Sequence, residues 1–535
     1  IGALEGALAG THMPHGGFVT INDTWGKHKN RSIPCPATES HLLPSLGLAV
    51  LGGGTGKQQL YTWLDYTAGG GHQHHSVLNM SLFAHGNELL RDIGYTHTAW
   101  RSWSICTASH NTVVVNGLDS GTDRDRSKHR LRAFASDDRG FHLAEAESAA
   151  AYPGDVTRYR RTLACVGENS ADAYLIDVFQ VHGGAQHDYL LHGSAVEDST
   201  ATVNGVHLQP YNGTLVNPGL TFEFPAAESA APKNGAQYGF VRILQSGPAS
   251  GSICLDLRLS SVPAVGTRTR LAAHDGDIVY LGEAPRIRQA ERSDVLLKDY
   301  YAPFFCLRRQ GKSLTSTFVA VHEPVNGPAR TRGMKTTEID GALLVAIDRG
   351  EAGTDHFVMA LGDKPASVAT DAGKAKLHFE GRWGLARTRN GKATALYGVD
   401  ASVLTLGGTR LEGIPAYEGI VREVHRSDAT EGGSRGSLDV AETVTPDAKV
   451  GALLIEFADR TVRGYNVTRI EQLADGTRLH VAEDPAYEVR GGAVHLTSYP
   501  QRSIQGDIVR YRLPVVGRLL RNPTRADGNP DSQRP

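Results

Sequence analysis

The sequence predicts a mainly β protein: a large two-layered antiparallel β-sandwich with a smaller C-terminal β-domain. Three observations carry that expectation. From about Leu51 onward, short runs of β-branched and aromatic residues are separated by Gly, Asn, Asp and Pro. The runs recur every roughly 8–20 residues with hardly any long apolar stripe of helical period, which favours packed sheets over alternating strands and helices. The 61 glycines and 24 prolines supply the turns such an architecture needs.

Taken in order, the elements begin with an Ala/Gly/Leu-rich start, Ile1–Gly10, able to close a helix, and a turn-rich stretch from His12 to Cys35. Residues 1–45 thus read as the tail of a preceding domain and a linker. Strands are expected at Thr112–Val115, Tyr174–Phe179, Thr221–Phe224, Phe240–Leu244, Ile253–Leu259, Asp277–Leu281 and Thr317–Val321. Further strands are expected at Leu343–Ile347, Leu453–Phe457 and Ile508–Leu513. Pro324, Gly327, Pro328 and Gly333 fall together, so a boundary is drawn there: a central domain over 46–328 and a C-terminal β-domain over 329–521. The polar stretch 522–535 is expected to be disordered.

The 535 residues suggest three to four units at about 150 residues each. With 55 basic and 57 acidic residues the formal charge is −2, which argues against a surface built as a whole to grip nucleic acid or membrane. No run of about 18 apolar residues is present, so no membrane span is expected. The chain opens at Ile1 without a charged-then-apolar leader, as a cleavage product or part of a longer chain would. Five cysteines without a C-x-x-C spacing read as buried thiols rather than as a disulfide frame or metal site.

Histidine concentrates the chemistry. Of the 23 histidines, His72, His74, His75, His85, His97, His110, His129 and His142 crowd together. The first three follow Gly69-Gly70-Gly71, and an apolar run to Ala84, a His85-Gly86-Asn87 turn and a segment ending in Asp92 come next, which reads as a glycine-rich loop feeding a hairpin. On extended backbone His72 and His74 face one way and His75 the other. Two imidazoles and a carboxylate suit Zn²⁺, and the candidates are His74, Asp92 and His110. A simple hairpin pairs Asp92 with Met80 and leaves His74 about 20 Å farther along, so the metal reading requires His74 to curl back. The alternative is that these histidines are core or edge residues bonded to carbonyls. Arg124, Arg126, Lys128, Arg130 and Arg132 alternate, and on a strand they form a basic stripe suited to carboxylates or sulfates. The alternative there is a solvated strand neutralised by neighbouring aspartates. Gln186–His192 could add a ligand, although paired strand histidines are usually structural. Gly52–Lys57 resembles a phosphate loop, but Gln58 stands where Ser or Thr is needed, and it reads as a hairpin loop.

Four segments in order, Leu46–Leu51, Gly71-His72-Gln73-His74, Leu82–Tyr95 and His110–Gly117, resemble the heparinase II/III-like polysaccharide lyases. The Gly94-Tyr95-Thr96-His97-Thr98 and Arg101-x-Trp103 elements look closest to the branch of oligoalginate lyases and exo-acting heparin or heparan sulfate lyases. The resemblance implies an N-terminal (α/α) toroid, of which residues 1–45 would be the end, and a cleft between toroid and sandwich. It implies cleavage of a uronic-acid polysaccharide, a glycosaminoglycan such as heparin or heparan sulfate, or alginate, by β-elimination, and bacterial export to the periplasm or medium. By position it makes His72 a cleft histidine at the carboxylate or as base, Tyr95 a second cleft tyrosine, and His74, Asp92 and His110 the ligands of a mainly structural Zn²⁺. Arg101, Arg124, Arg126 and Arg130 are expected to bind acidic substrate. The family's His-Gly-His, small residue and Asp are here altered, Gln73 replacing the Gly and Ser76 the Asp. The principal catalytic Tyr of the family lies on the toroid, so the partners expected are the glycan and a toroid segment without which the chain would be inactive. Two further readings stay open, a non-catalytic polyanion-binding β-protein and a cupin-like metal enzyme.

Overall fold

The computed structural model describes residues 20–24, 39–44, 46–67, 72–121, 128–148, 150–373, 375–431, 434–498 and 501–521. These residues are mainly β, in several antiparallel sheets with almost no helix. The toroid end expected over 1–45 falls largely outside them; 20–24 and 39–44 contain no helix. The expected disordered tail 522–535 also lies outside them.

A five-stranded meander comes first: β1 (His41–Leu43), β2 (Leu48–Gly53), β3 (Leu60–Asp65), β4 (Met80–Ala84) and β5 (Asn87–Leu90). Of Gly52–Lys57, expected as a hairpin loop, Gly52 and Gly53 end β2 and Gly54–Lys57 lie in the β2–β3 connection. His85 and Gly86, at φ 52° and 78°, form the two-residue β4–β5 loop, whose positive φ at both positions matches the twist of a hairpin. A short helix α1 (Arg101–Ile105) follows, then β6 (Val113–Val115).

The larger sheet adds β7 (His129–Asp137), β8 (Phe141–Ser148), β9 (Val156–Val166), β10 (Tyr174–Gly183), β11 (Gln186–His192), β12 (Ser199–Asn204) and β13 (Gln209–Pro210). It also contains β14 (Arg242–Leu259), β15 (Val265–Pro285), β16 (Tyr301–Gln310) and β17 (Thr315–Asn326). Its main path runs β6-β11-β16-β15-β17-β10-β9-β8-β7, with β14 on β15 and β12 and β13 on β14. The two sheets share one apolar core. Ala49, Leu51, Leu60, Leu64, Met80 and Leu82 alternate inward from the meander to meet Phe134, Leu163, Leu175, Phe179 and Tyr189. The opposite meander face, Leu48, Val50, Tyr61, Trp63 and Phe83, is buried with Ile21. A buried ion pair, Arg161 to Asp177 at 2.6 and 2.9 Å, ties β9 to β10 and also reaches the carbonyls of Leu78 and Asn111.

Two expectations are corrected. Thr221–Phe224 is not a strand: Phe222 and Phe224 pack with Trp100 and Phe240 in a ring cluster, so the alternation serves aromatic packing on a loop. The chain also does not continue into one domain over 329–521. It divides after Ala329, and a second unit comprises the described residues of Arg330–Tyr417, Asp447–Gly451 and Leu513–Pro535. Glu418–Pro446 and Ala452–Arg512 belong with the first unit. Ala452 and Leu454 enter its core beside Leu42 and Leu131, the Ala452 amide donates to Phe134, and Asn466 clasps the backbone of Leu42. Such returns depend on long-range packing that local pattern does not encode. The second unit is an eight-stranded sheet whose core includes Leu344, Val358, Phe379, Leu396 and Leu404.

Cys106, Cys165 and Cys306 are buried free thiols and Cys254 is half-buried; burial pushes the Cys165 thiol up to about 12. Cys35 lies outside the described residues. No helix among them is long and apolar enough to cross a membrane.

Candidate active site and metal centre

The site is assembled where the strand pattern gives way to irregular backbone. His72 and Leu78 have positive φ, 69° and 57°, which folds the 72–79 segment back over the meander. Its turns are fixed by polar side chains: Asn22 accepts the His74 amide at 2.8 Å, and Asn79 accepts the Asn111 amide at 2.9 Å while donating to Asp92 at 2.8 Å. Asn111 in turn donates to the carbonyls of Met80 and Arg91. Gly94, at φ 66°, closes the far side. Its amide binds Asp92 at 2.9 Å, and a Cβ there would stand 2.8 Å from the Thr24 carbonyl, so only glycine lets 20–24 lie against this turn.

His74, Asp92 and His110 are thereby brought together, all fully buried. The two imidazole centroids are 5.6 Å apart, and Nε2 of His110 is 3.9 Å from Oδ2 of Asp92. Each ring has one nitrogen tied down. His74 donates from Nε2 to Asp23 at 2.9 Å, and His110 donates from Nδ1 to the Cys106 carbonyl at 2.8 Å. The remaining nitrogens, Nδ1 of His74 and Nε2 of His110, are buried with no hydrogen-bond partner. Burial lowers both histidines, His110 to about 3, so each is neutral at pH 7 with a lone pair unused. Burial raises Asp92 to about 6 against the charges of His74 and Arg288, and raises Asp65 to about 6 as well. Two buried imidazole nitrogens without partners, that of His110 3.9 Å from the Asp92 carboxylate, are the donor types that a divalent cation with N and O preference takes.

Above this group is an open layer organised by Asp23. Its carboxylate accepts from His74, from Nδ1 of His72 at 2.6 Å and from Arg101 at 3.1 Å. Burial alone would raise Asp23, but the His74 and His72 hydrogen bonds and the Arg101 charge hold it below the usual carboxylate range. His72 and His74 do converge, but through left-handed backbone at His72 rather than by strand alternation. His75 turns away to the Ser120 carbonyl. His72 is 79% exposed at its side chain and Arg101 25%. Trp103, buried and donating to the Pro285 carbonyl at 2.9 Å, anchors the short helix that begins with Arg101. Arg101 lies 5.1 Å over the Tyr95 ring, and Tyr95 donates to Glu228 at 3.1 Å, where His97 also binds at 3.2 Å. Burial first, and then Glu228, raises Tyr95, keeping its hydroxyl protonated at neutral pH. Burial would lower Arg101, but Tyr95 and Asp23 outweigh it.

Arg130 stands apart on β7. Its guanidinium lies 3.2 Å from Glu456 and 3.5 Å from Glu147, and Arg132 binds Glu145 and Glu147. Both guanidinium groups reach Glu147, so those two arginines share one face of an ion-paired strand. Arg124 and Arg126 lie outside the described residues. His187 is satisfied by Ser316 and the Gly183 carbonyl, and His192 by Arg91 and the Ala108 carbonyl. Among the described residues, the His/Asp/Glu group whose ligand atoms already lie close enough together to hold a metal ion is Glu423, His425 and Asp439, partly exposed; Arg478 binds Asp439 twice at 2.7 Å and His425 at 3.1 Å. Sequence reasoning missed Asp23 and Glu228, which lie in turn-rich stretches without period or motif. Asn111 was visible only as part of the run His110–Gly117, not as the clamp it is.

Residues 36–251 match the family model described as heparinase II/III-like, C-terminal. That match contains every candidate site residue named from the sequence and excludes Asp23. No curated protein matches the chain. Among solved structures, heparinase III is similar at 12% identity and a TM-score of 0.47, over 67% of this chain and 54% of that one. The heparan sulfate lyase HepC from Pedobacter heparinus is similar at 14% identity and a TM-score of 0.43, over 66% of this chain and 51% of that one. The chain thus spans about half the length of these structures.

Proposed function

We propose that this chain carries the β portion of a polysaccharide lyase that cleaves uronic-acid glycans, a glycosaminoglycan such as heparin or heparan sulfate, or alginate, by β-elimination. The observation that carries the reading is the two-storey arrangement on Asp23: an open His72, Tyr95 and Arg101 layer above a buried His74, Asp92 and His110 group. The heparinase II/III-like match over 36–251 supports it. In this reading Arg101 faces the uronate carboxylate, whose neutralisation makes the C5 proton acidic enough for a side-chain base. His72, with Nδ1 on Asp23, presents Nε2 to take that proton, and Tyr95, holding its own, delivers one to O4 as the C4–O4 bond breaks. The product is a uronate unsaturated between C4 and C5. Arg101 is paired with Asp23 and, at 3.7 Å, with Glu228, and would exchange one of these carboxylates for the substrate's; Arg130, paired with Glu147 and Glu456 on β7, is given no role in this step.

Zn²⁺ would be held by Nδ1 of His74, an oxygen of Asp92 and Nε2 of His110, with Asp23 orienting His74 from behind. Bound there it supplies structural order to the 72–79 and 92–97 turns. The other wall of the cleft is assigned to an α/α toroid, and the setting to periplasm or medium. The test is incubation of the full-length protein with heparin, heparan sulfate, chondroitin sulfate, hyaluronan and alginate, following the ultraviolet absorbance of the unsaturated product. One substrate should give a rise that His72→Ala reduces by at least about 100-fold with the fold intact. Cleavage without a new double bond, or an unchanged rate in that variant, would overturn the assignment.

A further inference from the structure

Behind the site, the interior holds more cationic donors than the protein satisfies. Arg91 follows directly on β5 and Arg286 directly on β15, and those two strands pack together. Arg91 is fully buried, Arg286 is 5% exposed and Arg288 4%. Arg288 is matched: Glu88 lies at 2.9 Å, and the carbonyls of Ile93 and Asp92 accept from it. Arg286 donates Nη2 to Asp198, whose side chain is largely in solvent. Arg91 donates Nη2 to Nδ1 of His192 at 3.1 Å, a neutral acceptor because the other ring nitrogen donates to the Ala108 carbonyl.

Nε and Nη1 of Arg91 and Nε and Nη1 of Arg286 remain, four buried nitrogens with no hydrogen-bond partner. Arginine does not shed its proton, so Arg91 is a cation in the interior with no carboxylate hydrogen-bonded to it; Glu88 and Asp92 act on it through their charge alone, and Arg286 and Arg288 oppose them. Water could accept these donors but adds no negative charge to a group of three arginines whose one buried pairing is Arg288 with Glu88. With Arg91 fully buried and Arg286 5% exposed, a glycan carboxylate does not reach these nitrogens.

We propose that Arg91 and Arg286 enclose a small inorganic anion, of the size and charge of chloride, at the junction of β5 and β15. It satisfies donors that no protein group reaches and balances the guanidinium charge. Nothing in it depends on the lyase reading, since the anion is structural and lies beneath the open layer.

The test uses the full chain and halides. In crystals grown with bromide in place of chloride, an anomalous peak is expected within hydrogen-bond distance of Nε or Nη1 of both arginines. In solution, raising chloride at constant ionic strength, against a large weakly coordinating anion, should raise Tm to a plateau. Arg91→Met should abolish both signals. Arg286→Lys should shift the plateau to higher chloride, and it carries the comparison if Arg91→Met does not fold. Only water at the site, a Tm indifferent to chloride, or an unaltered plateau in Arg286→Lys would overturn the proposal. Bromide density without a chloride-dependent Tm would also overturn it, as binding at crystal concentration only.

Discussion

Asp23 is the residue on which both layers of the candidate site depend, so its replacement is the most informative perturbation. It accepts Nε2–H of His74 at 2.9 Å and Nδ1–H of His72 at 2.6 Å, and it pairs with Arg101 at 3.1 Å. A carboxylate behind a metal-binding histidine fixes its tautomer and raises its basicity, and losing such a partner weakens metal binding by about 10–100-fold. Asp23→Asn keeps one acceptor oxygen for His74 but removes the charge, so the low end applies: about ten-fold, or ~1.4 kcal/mol. Asp23→Ala leaves Nε2 of a fully buried ring without an acceptor, and the high end applies, about 100-fold or ~2.7 kcal/mol. The assay is competitive zinc titration against a chromophoric chelator, with far-ultraviolet circular dichroism to confirm the fold. Equal zinc affinity in wild type and both variants would refute the second-layer role of Asp23.

Further outcomes follow from the same geometry. His110→Ala should remove stoichiometric zinc, checked by metal analysis after gel filtration, and should lower Tm; retained zinc counts against this ligand set. Asp177→Ala strands the buried Arg161 and should cost about 3–5 kcal/mol in urea unfolding, whereas Arg161→Met with Asp177→Leu should recover much of that loss. His142, held by Ser40 and Ser136 and lowered by burial to about 4, is neutral in the native state and protonates on unfolding. Its contribution is therefore complete above about pH 6.5 and is lost as pH falls toward 4, on the order of 3 kcal/mol in all. The stability gap between wild type and His142→Gln should accordingly narrow between pH 7 and pH 4.5; a constant gap contradicts this.

Much of the β architecture was legible because its signals are local. The runs at Tyr174–Phe179, Ile253–Leu259 and Thr317–Val321 lie within β10, β14 and β17, and the His85-Gly86 turn is where its residue types put it. Asp92 sits just past β5 near Met80, with a register shift after Leu82 that no pattern announced. The return of His74 was stated as a requirement but could not be derived. It depends on Asn22, 52 residues away, and on left-handed backbone at His72, a residue type enriched there but seldom in it, and at Leu78, a type with no preference for it. Asp23 was invisible for the same reason, since a lone acid in a turn-rich stretch acquires its role only from what folds against it. The basic stripe is seen only from Lys128 onward, since Arg124 and Arg126 lie outside the described residues. Its spacing was read correctly, but Glu147 and Glu456 that meet Arg130 come from another strand and from more than 300 residues downstream.

The claim beneath the whole account is that His74, Asp92 and His110 hold one divalent cation. Diffraction from zinc-saturated crystals on either side of the zinc absorption edge tests it directly. The account predicts a single strong anomalous peak about 2.0–2.2 Å from Nδ1 of His74, an Asp92 oxygen and Nε2 of His110. A peak instead at Glu423, His425 and Asp439, or none between the two buried imidazoles, would contradict it.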